Sequence, residues 1–174
     1  PIHVLVVDDH EMVRESLSKV LDSFDELKVI GTASNGKEAI KLAKELAPDV
    51  VVMDFKMPVM CGKEATEKII AHMPATKIVI ISAEDKHPVP SMLMKAGAYG
   101  FVSKGGSLTE VVDAIKHAMR GKRYLSPEIA QQAALNAMSN PEEQNPFSRL
   151  AQRELQITLM IVEGEKAQDI ADKL

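Results

Sequence analysis

The sequence predicts a doubly wound α/β fold around a five-stranded parallel sheet with the spatial order 2-1-3-4-5. Three observations carry this. Short apolar runs alternate with segments of helical periodicity from Ile2 to Gly121. The run Val50-Val51-Val52-Met53 has no polar face, as expected of a strand buried on both sides inside a parallel sheet. Polar residues then close four of the runs: Asp8 with Asp9, Asp54, Ser82 and Lys104. Right-handed crossovers bring all the strands' carboxyl ends to one edge of such a sheet. In the stated order, strands one, three, four and five lie side by side, so these residues share one crevice.

Taken in order, His3 to Val7 is the first strand, and the helix after His10 turns Met12, Val13, Leu17, Val20 and Leu21 to one face. Lys28 to Ala33 is the second strand. Asn35-Gly36 turns the chain into a helix carrying Ala39, Ile40, Ala43 and Leu46, which Pro48 stops. After Val50–Asp54, a helix from Gly62 to Met73 ends before Pro74, and Lys77 to Ser82 is the fourth strand. The polar stretch 83–90 is a loop whose Pro90 opens a helix ending at Gly97. Gly100 to Ser103 is a short fifth strand. Ser107 then caps the last helix, with Glu110 placed three residues on as a capping-box partner, as far as Gly121.

Composition narrows the function classes. Aromatic residues make up 3% with no Trp, so aliphatic side chains and ten Met must fill the core. The single cysteine, Cys61, excludes an internal disulfide framework and fits a reducing, cytoplasmic setting. No apolar run reaches membrane-spanning length. A net charge of −4 gives no overall case for nucleic acid, and residues 141–174 hold seven acidic against four basic side chains.

Three carboxylates in one crevice repel one another unless a cation intervenes. A hard divalent ion such as Mg²⁺ suits that oxygen donor set and retains waters for a phosphate, whereas no His or Cys cluster has zinc spacing. A carboxylate beside such an ion can attack a phosphoryl group, with Lys104 as counter-charge and Ser82 as hydroxyl donor. Each residue alone has a plain reading: Ser82 a strand terminator, Lys104 a solvated loop cation, Asp8 and Asp9 a helix cap. Their coincidence at four strand ends favours the site.

Val-Val-Asp-Asp-His at 6–10, Val-Met-Asp at 52–54, Met57-Pro58, Gly62, Ser82-Ala83 and Gly-Phe-Val-Ser-Lys at 100–104 resemble the flavodoxin-like receiver domain of two-component response regulators. The resemblance implies that Asp54 is the phosphoacceptor, supplied by a sensor histidine kinase or phosphotransfer domain. It implies that Asp9 coordinates Mg²⁺ directly, that Asp8 assists through water, and that the backbone carbonyl of Lys56 completes the protein ligands. Ser82 and Phe101 resemble the family's switch pair. Because Phe101 cannot hydrogen-bond, its switching would rest on packing; its plain reading is a core phenylalanine.

The receiver is expected over 1–121 and a linker over 122–146, with a helix at about 126–138 capped by Ser126 and opened by Pro127. Polar, Pro-containing residues 139–146 read as its flexible part. Residues 147–174 resemble the opening of a LuxR-type helix-turn-helix domain, and the whole resembles the NarL/FixJ regulators, notably the GacA/UvrY kind, at Ile129-Ala130-Gln131-Gln132 and Pro146-Phe147. The chain ends at Leu174, before the helix that would enter the major groove, so specific DNA binding is expected only of a complete parent protein. A homodimer is a further expectation, with the helix after Pro90, the strand at Gly100 and the linker helix as candidate partner surfaces. Two other classes fit less well. A haloacid-dehalogenase-like phosphatase needs an Asp where Lys56 stands, and a nucleotide-binding module needs glycines where Asp8-Asp9-His10-Glu11 would repel a pyrophosphate.

Overall fold

The computed structural model describes residues 1–139. Elements alternate as predicted: β1 (Ile2–Val7), α1 (Glu11–Asp22), β2 (Leu27–Ala33), α2 (Gly36–Leu46), β3 (Val50–Asp54), α3 (Gly62–His72), β4 (Lys77–Ser82), α4 (Val89–Lys95), β5 (Gly100–Ser103) and α5 (Leu108–Met119). Two more follow, β6 (Tyr124–Leu125) and α6 (Pro127–Ser139). All strands are parallel, in the order β2-β1-β3-β4-β5-β6.

The side-chain period of two sorts the central strands onto two cores. Leu5, Val7, Val51, Met53, Ile78 and Ile80 face α2, α3, α4 and α6. Val4, Val6, Val50, Val52, Val79 and Ile81 face α1 and α5. All five residues of β3 are buried, which accounts for the continuous apolar run.

Two expectations need correction. The sheet has six strands, not five, because Tyr124–Leu125 pairs with Gly100–Phe101 at its edge. A two-residue strand is too short to carry a periodicity, so nothing in the sequence separated it from a linker. The helix expected at about 126–138 forms as α6, and its Ile129, Ala130 and Ala133 lie in the same core as Leu93, Met94 and Phe101. The helix after Pro90 and the strand at Gly100 are thus covered in part by α6, while Leu135 and Met138 stay exposed. The packed body runs past residue 121 into α6. The flexible segment expected at 139–146 and the helix-turn-helix expected at 147–174 lie outside the described residues, apart from Ser139 at the end of α6.

Caps differ in detail from expectation. Asn35 accepts from Glu38 N at 2.9 Å, and the Glu38 carboxylate reaches back to Ser34 N and Oγ, a capping arrangement at α2. Ser107 accepts from Thr109 N, but Glu110 Oε1 turns to the Tyr124 hydroxyl at 3.1 Å. The pairing foreseen within α5 has become a bond to β6.

Gly62 fixes how closely α3 approaches the site strand. Its N–H donates to Phe55 O at 2.7 Å, and a Cβ there would stand 2.6 Å from Asp54 O and 2.9 Å from Phe55 Cα. Both obstacles are backbone. Gly62→Ala is expected to destabilise the fold by about 2–3 kcal/mol, within the usual range for overpacking, and to lower the thermal midpoint by roughly 5–10 °C. Calorimetry showing an unchanged midpoint would contradict this.

Candidate functional site

β1, β3, β4 and β5 deliver their terminal residues to one edge, as the alternation of elements requires. Asp54 is the last residue of β3, and Asp8 and Asp9 follow β1 directly. Lys104 follows β5, held by its backbone N–H to Ser82 O at 2.9 Å. Asp8 and Asp54 are buried, at 3% and 5% exposure. Lys104 Nζ bridges them, 3.2 Å from Asp8 Oδ2 and 3.1 Å from Asp54 Oδ2. The remaining Asp8 oxygen accepts from His10 N at 2.8 Å, which closes a turn before α1; the helix's N-cap is His10, so the plain reading of Asp8 and Asp9 as its cap does not hold.

Burial pushes the Asp54 carboxyl above its ordinary value; Lys104 opposes that shift, and the charges of Asp8 and Asp9 add to it. For Lys104, burial acts to lower the ammonium's value, but its bonds to Asp54 and Asp8 outweigh this and hold it above the ordinary range. The two directions are compatible: one cation is shared between Asp8 and Asp54, and its pull does not outweigh the burial of Asp54 and the charges of Asp8 and Asp9.

Asp9 provides the test for a metal. Its Oδ1 is buried and has no hydrogen-bond partner, although His10 Nδ1 stands 3.1 Å away without bonding alignment. Ligand atoms of Asp8, Asp9, His10 and Asp54 all lie within 4.8 Å of one another. An orphaned oxygen among clustered carboxylates fits a hard divalent cation such as Mg²⁺. The sequence reading placed His10 in the Val-Val-Asp-Asp-His motif but gave it no role in the site. Its position after the Asp pair is visible in the sequence, but its return over that pair is a property of the loop.

The other predicted residues are near but differently engaged. Ser82 is buried, and its hydroxyl both donates to Glu84 O and accepts from Glu84 N, each at 3.0 Å, rather than turning to Asp54. The Lys56 side chain pairs with Glu84, spanning from the loop after β3 to the loop after β4. Phe101 is fully buried among Leu93, Met94 and Leu125, in the inward position. The loop after Asp54 turns sharply, with Val59 at φ 72° and Met60 N donating to Pro58 O at 2.8 Å. Beside the crevice, between α1 and α5, lies an apolar cavity of about 360 Å³ lined by Met12, Val13, Leu17, Ile81 and Leu108, with Met12 81% exposed.

Residues 4–116 match the response regulator receiver domain. The chain is 46% identical over 173 residues to the response regulator GacA of Pseudomonas aeruginosa, covering 99% of this chain and 81% of that protein. It is 43% identical to the response regulator UvrY of Escherichia coli, covering 99% and 79%. Among solved structures, a LuxR-family two-component response regulator from Aurantimonas sp. SI85-9A1 is 34% identical with a TM-score of 0.75, over 78% of this chain and 97% of that one. The chain therefore belongs to the response regulators, with a receiver domain of the GacA and UvrY kind.

Proposed function

We propose that Asp54 accepts a phosphoryl group from a sensor histidine kinase or phosphotransfer domain, and that this switches the receiver surface of a transcriptional regulator. The observation that carries the reading is the buried Asp54 carboxylate at a strand end, 3.1 Å from Lys104 and clustered with Asp8 and Asp9. Attack by an Asp54 carboxylate oxygen on the donor's phosphorus breaks the phosphorus–nitrogen bond of a phosphohistidine and forms an acyl phosphate. Hydrolysis later returns the carboxylate and releases phosphate. The chain is thus a regulator that catalyses only its own phosphotransfer and dephosphorylation.

Asp9, Asp54 and the Lys56 carbonyl would hold Mg²⁺, with Asp8 acting through water. Bound there, the ion supplies positive charge to the phosphoryl oxygens. Lys104 holds a second positive charge over the same oxygens. Ser82 donates its hydroxyl to the phosphoryl group after leaving Glu84, and Phe101 responds by repacking. Self-association into a homodimer follows phosphorylation. A cytoplasmic setting fits the lone cysteine, and among the described residues no helix is long and apolar enough to cross a membrane.

Incubation with acetyl phosphate and Mg²⁺ should add one phosphoryl group by intact mass, and a chelator should prevent it. A chain that stays unmodified would overturn the reading. The exposed Met12 beside the crevice suits an apolar contact with a protein donor, whereas a small molecule needs none. Met12→Asp should therefore slow transfer from a cognate phosphodonor protein roughly tenfold, the effect of losing about 1.4 kcal/mol, while leaving uptake from acetyl phosphate unchanged. Equal slowing with both donors would count against Met12 as part of the docking surface.

A further inference from the structure

Ser103 is the last residue of β5, and in the parallel register it lies opposite Ser82 of β4. Its hydroxyl donates to Asp85 Oδ2 at 2.8 Å and accepts from Gly105 N at 3.3 Å. Its backbone N–H donates to Ser126 Oγ at 3.4 Å. One residue thus touches the loop after β4, the turn that carries Lys104 and the start of α6. Ser126 is itself buried, its N–H bonded to Phe101 O at 3.2 Å and its carbonyl to Ala130 N at 3.0 Å. Asp85 of this loop and Pro90 of α4 also line a small cavity, of about 10 Å³, together with Ile129 and Ala133 of α6.

We propose that Ser103 is a positioning residue, a latch through Asp85 that couples the state of Asp54 to the seating of α6; this rests on Asp54 being the phosphoacceptor. The coupling follows from how Ser82 is held. Its hydroxyl is committed to both backbone groups of Glu84. To donate to a phosphoryl group on Asp54 it must withdraw its one proton from Glu84 O, which loosens the Glu84–Asp85 turn. Asp85 then leaves the Ser103 hydroxyl, and the Ser103–Ser126 contact at the start of α6 loses its support. The helix joining the receiver to the rest of the chain loosens as Asp54 is loaded.

Hydrogen–deuterium exchange over residues 127–138 of the full chain tests this, with beryllium fluoride and Mg²⁺ as the phosphoryl probe and fluorine NMR reporting its binding. Exchange in α6 should speed up several-fold when the probe binds. In Ser103→Ala and in Asp85→Asn that response should shrink by at least half, and Ser103→Thr should restore it. Uptake from acetyl phosphate by Ser103→Ala should rise a few-fold, the size expected when one hydrogen bond no longer opposes the change. A merely structural Ser103 would speed α6 exchange equally with and without the probe, leaving the response intact, and that result would overturn the latch. Bound probe with unchanged α6 in the wild type would overturn it as well. Failure of the probe to bind would instead remove the phosphoacceptor reading, and the latch with it.

Discussion

Asp54→Asn is expected to abolish phosphoryl uptake from acetyl phosphate and, without Mg²⁺, to raise the thermal midpoint by a few degrees. The first effect is chemical, since an amide is not the nucleophile a carboxylate is. The second follows from burial. Asp54 titrates above its ordinary value in the folded chain, chiefly because burial disfavours its charge. A raised carboxyl means the folded state binds more protons than the unfolded one in the window from 3.8 upward. Its stabilising share is present at low pH and is lost as pH rises through the folded value. At neutral pH the ionised, confined carboxylate is therefore a liability that asparagine lacks. The variant keeps a partner for Lys104, because Asp8 lies 3.2 Å from the ammonium. The midpoint gap between variant and wild type should narrow as pH falls toward the ordinary carboxylate range. Added Mg²⁺ should narrow it from the other side, by stabilising the wild type more. Differential scanning calorimetry across pH, with and without Mg²⁺, reads all of this. A variant less stable than the wild type at neutral pH would sink the electrostatic account, and a phosphorylated variant would sink the site.

Lys104→Met should act in the opposite direction on stability. It removes the cation shared by Asp8 and Asp54, leaving two buried carboxylates close to Asp9. Loss of one partner from a fully buried pair is destabilising by about 3–5 kcal/mol; Lys104 is a quarter exposed, so we expect about 1–2 kcal/mol. The ammonium sits above its ordinary value, so its contribution is present below 10.5 and disappears as pH rises through the folded value. The difference from wild type should accordingly persist at neutral pH, vanish in strong alkali, and shrink in acid as the partner carboxylates take up protons. Mg²⁺ should stabilise Lys104→Met more than the wild type, since it becomes the main counter-charge to the three aspartates. Uptake from acetyl phosphate should nevertheless fall roughly 10²-fold, the scale of losing one fixed electrostatic contact to the transition state. A variant as stable as wild type at low Mg²⁺, or one that is phosphorylated at the wild-type rate, would contradict the role given to the bridge.

Much of this molecule was legible before any coordinate. The unbroken apolar run of Val50 to Met53 followed by Asp54 specifies a central parallel strand with a carboxylate at its mouth, because only such a strand needs no polar face. The handedness of the crossovers then obliges Asp8, Asp9 and Lys104 to join Asp54, whatever their rotamers. These are consequences of periodicity and chain topology, which the order of residues alone determines. What the tertiary structure decided depends on contacts between residues far apart in the chain. Lys104 bridges Asp8 and Asp54, Asp9 keeps an orphaned oxygen, and Ser82 turns to Glu84 instead of the site. Glu110 was committed to Tyr124 rather than to its own helix, because β6 had joined the sheet edge. The helix expected at about 126–138 formed as α6, but its seat on the receiver core, like the place of β6, was decided by such distant contacts. A two-residue strand and a three-residue apolar stripe carry too little local signal, and their place is set by the apolar face of α4 and β5 that they cover.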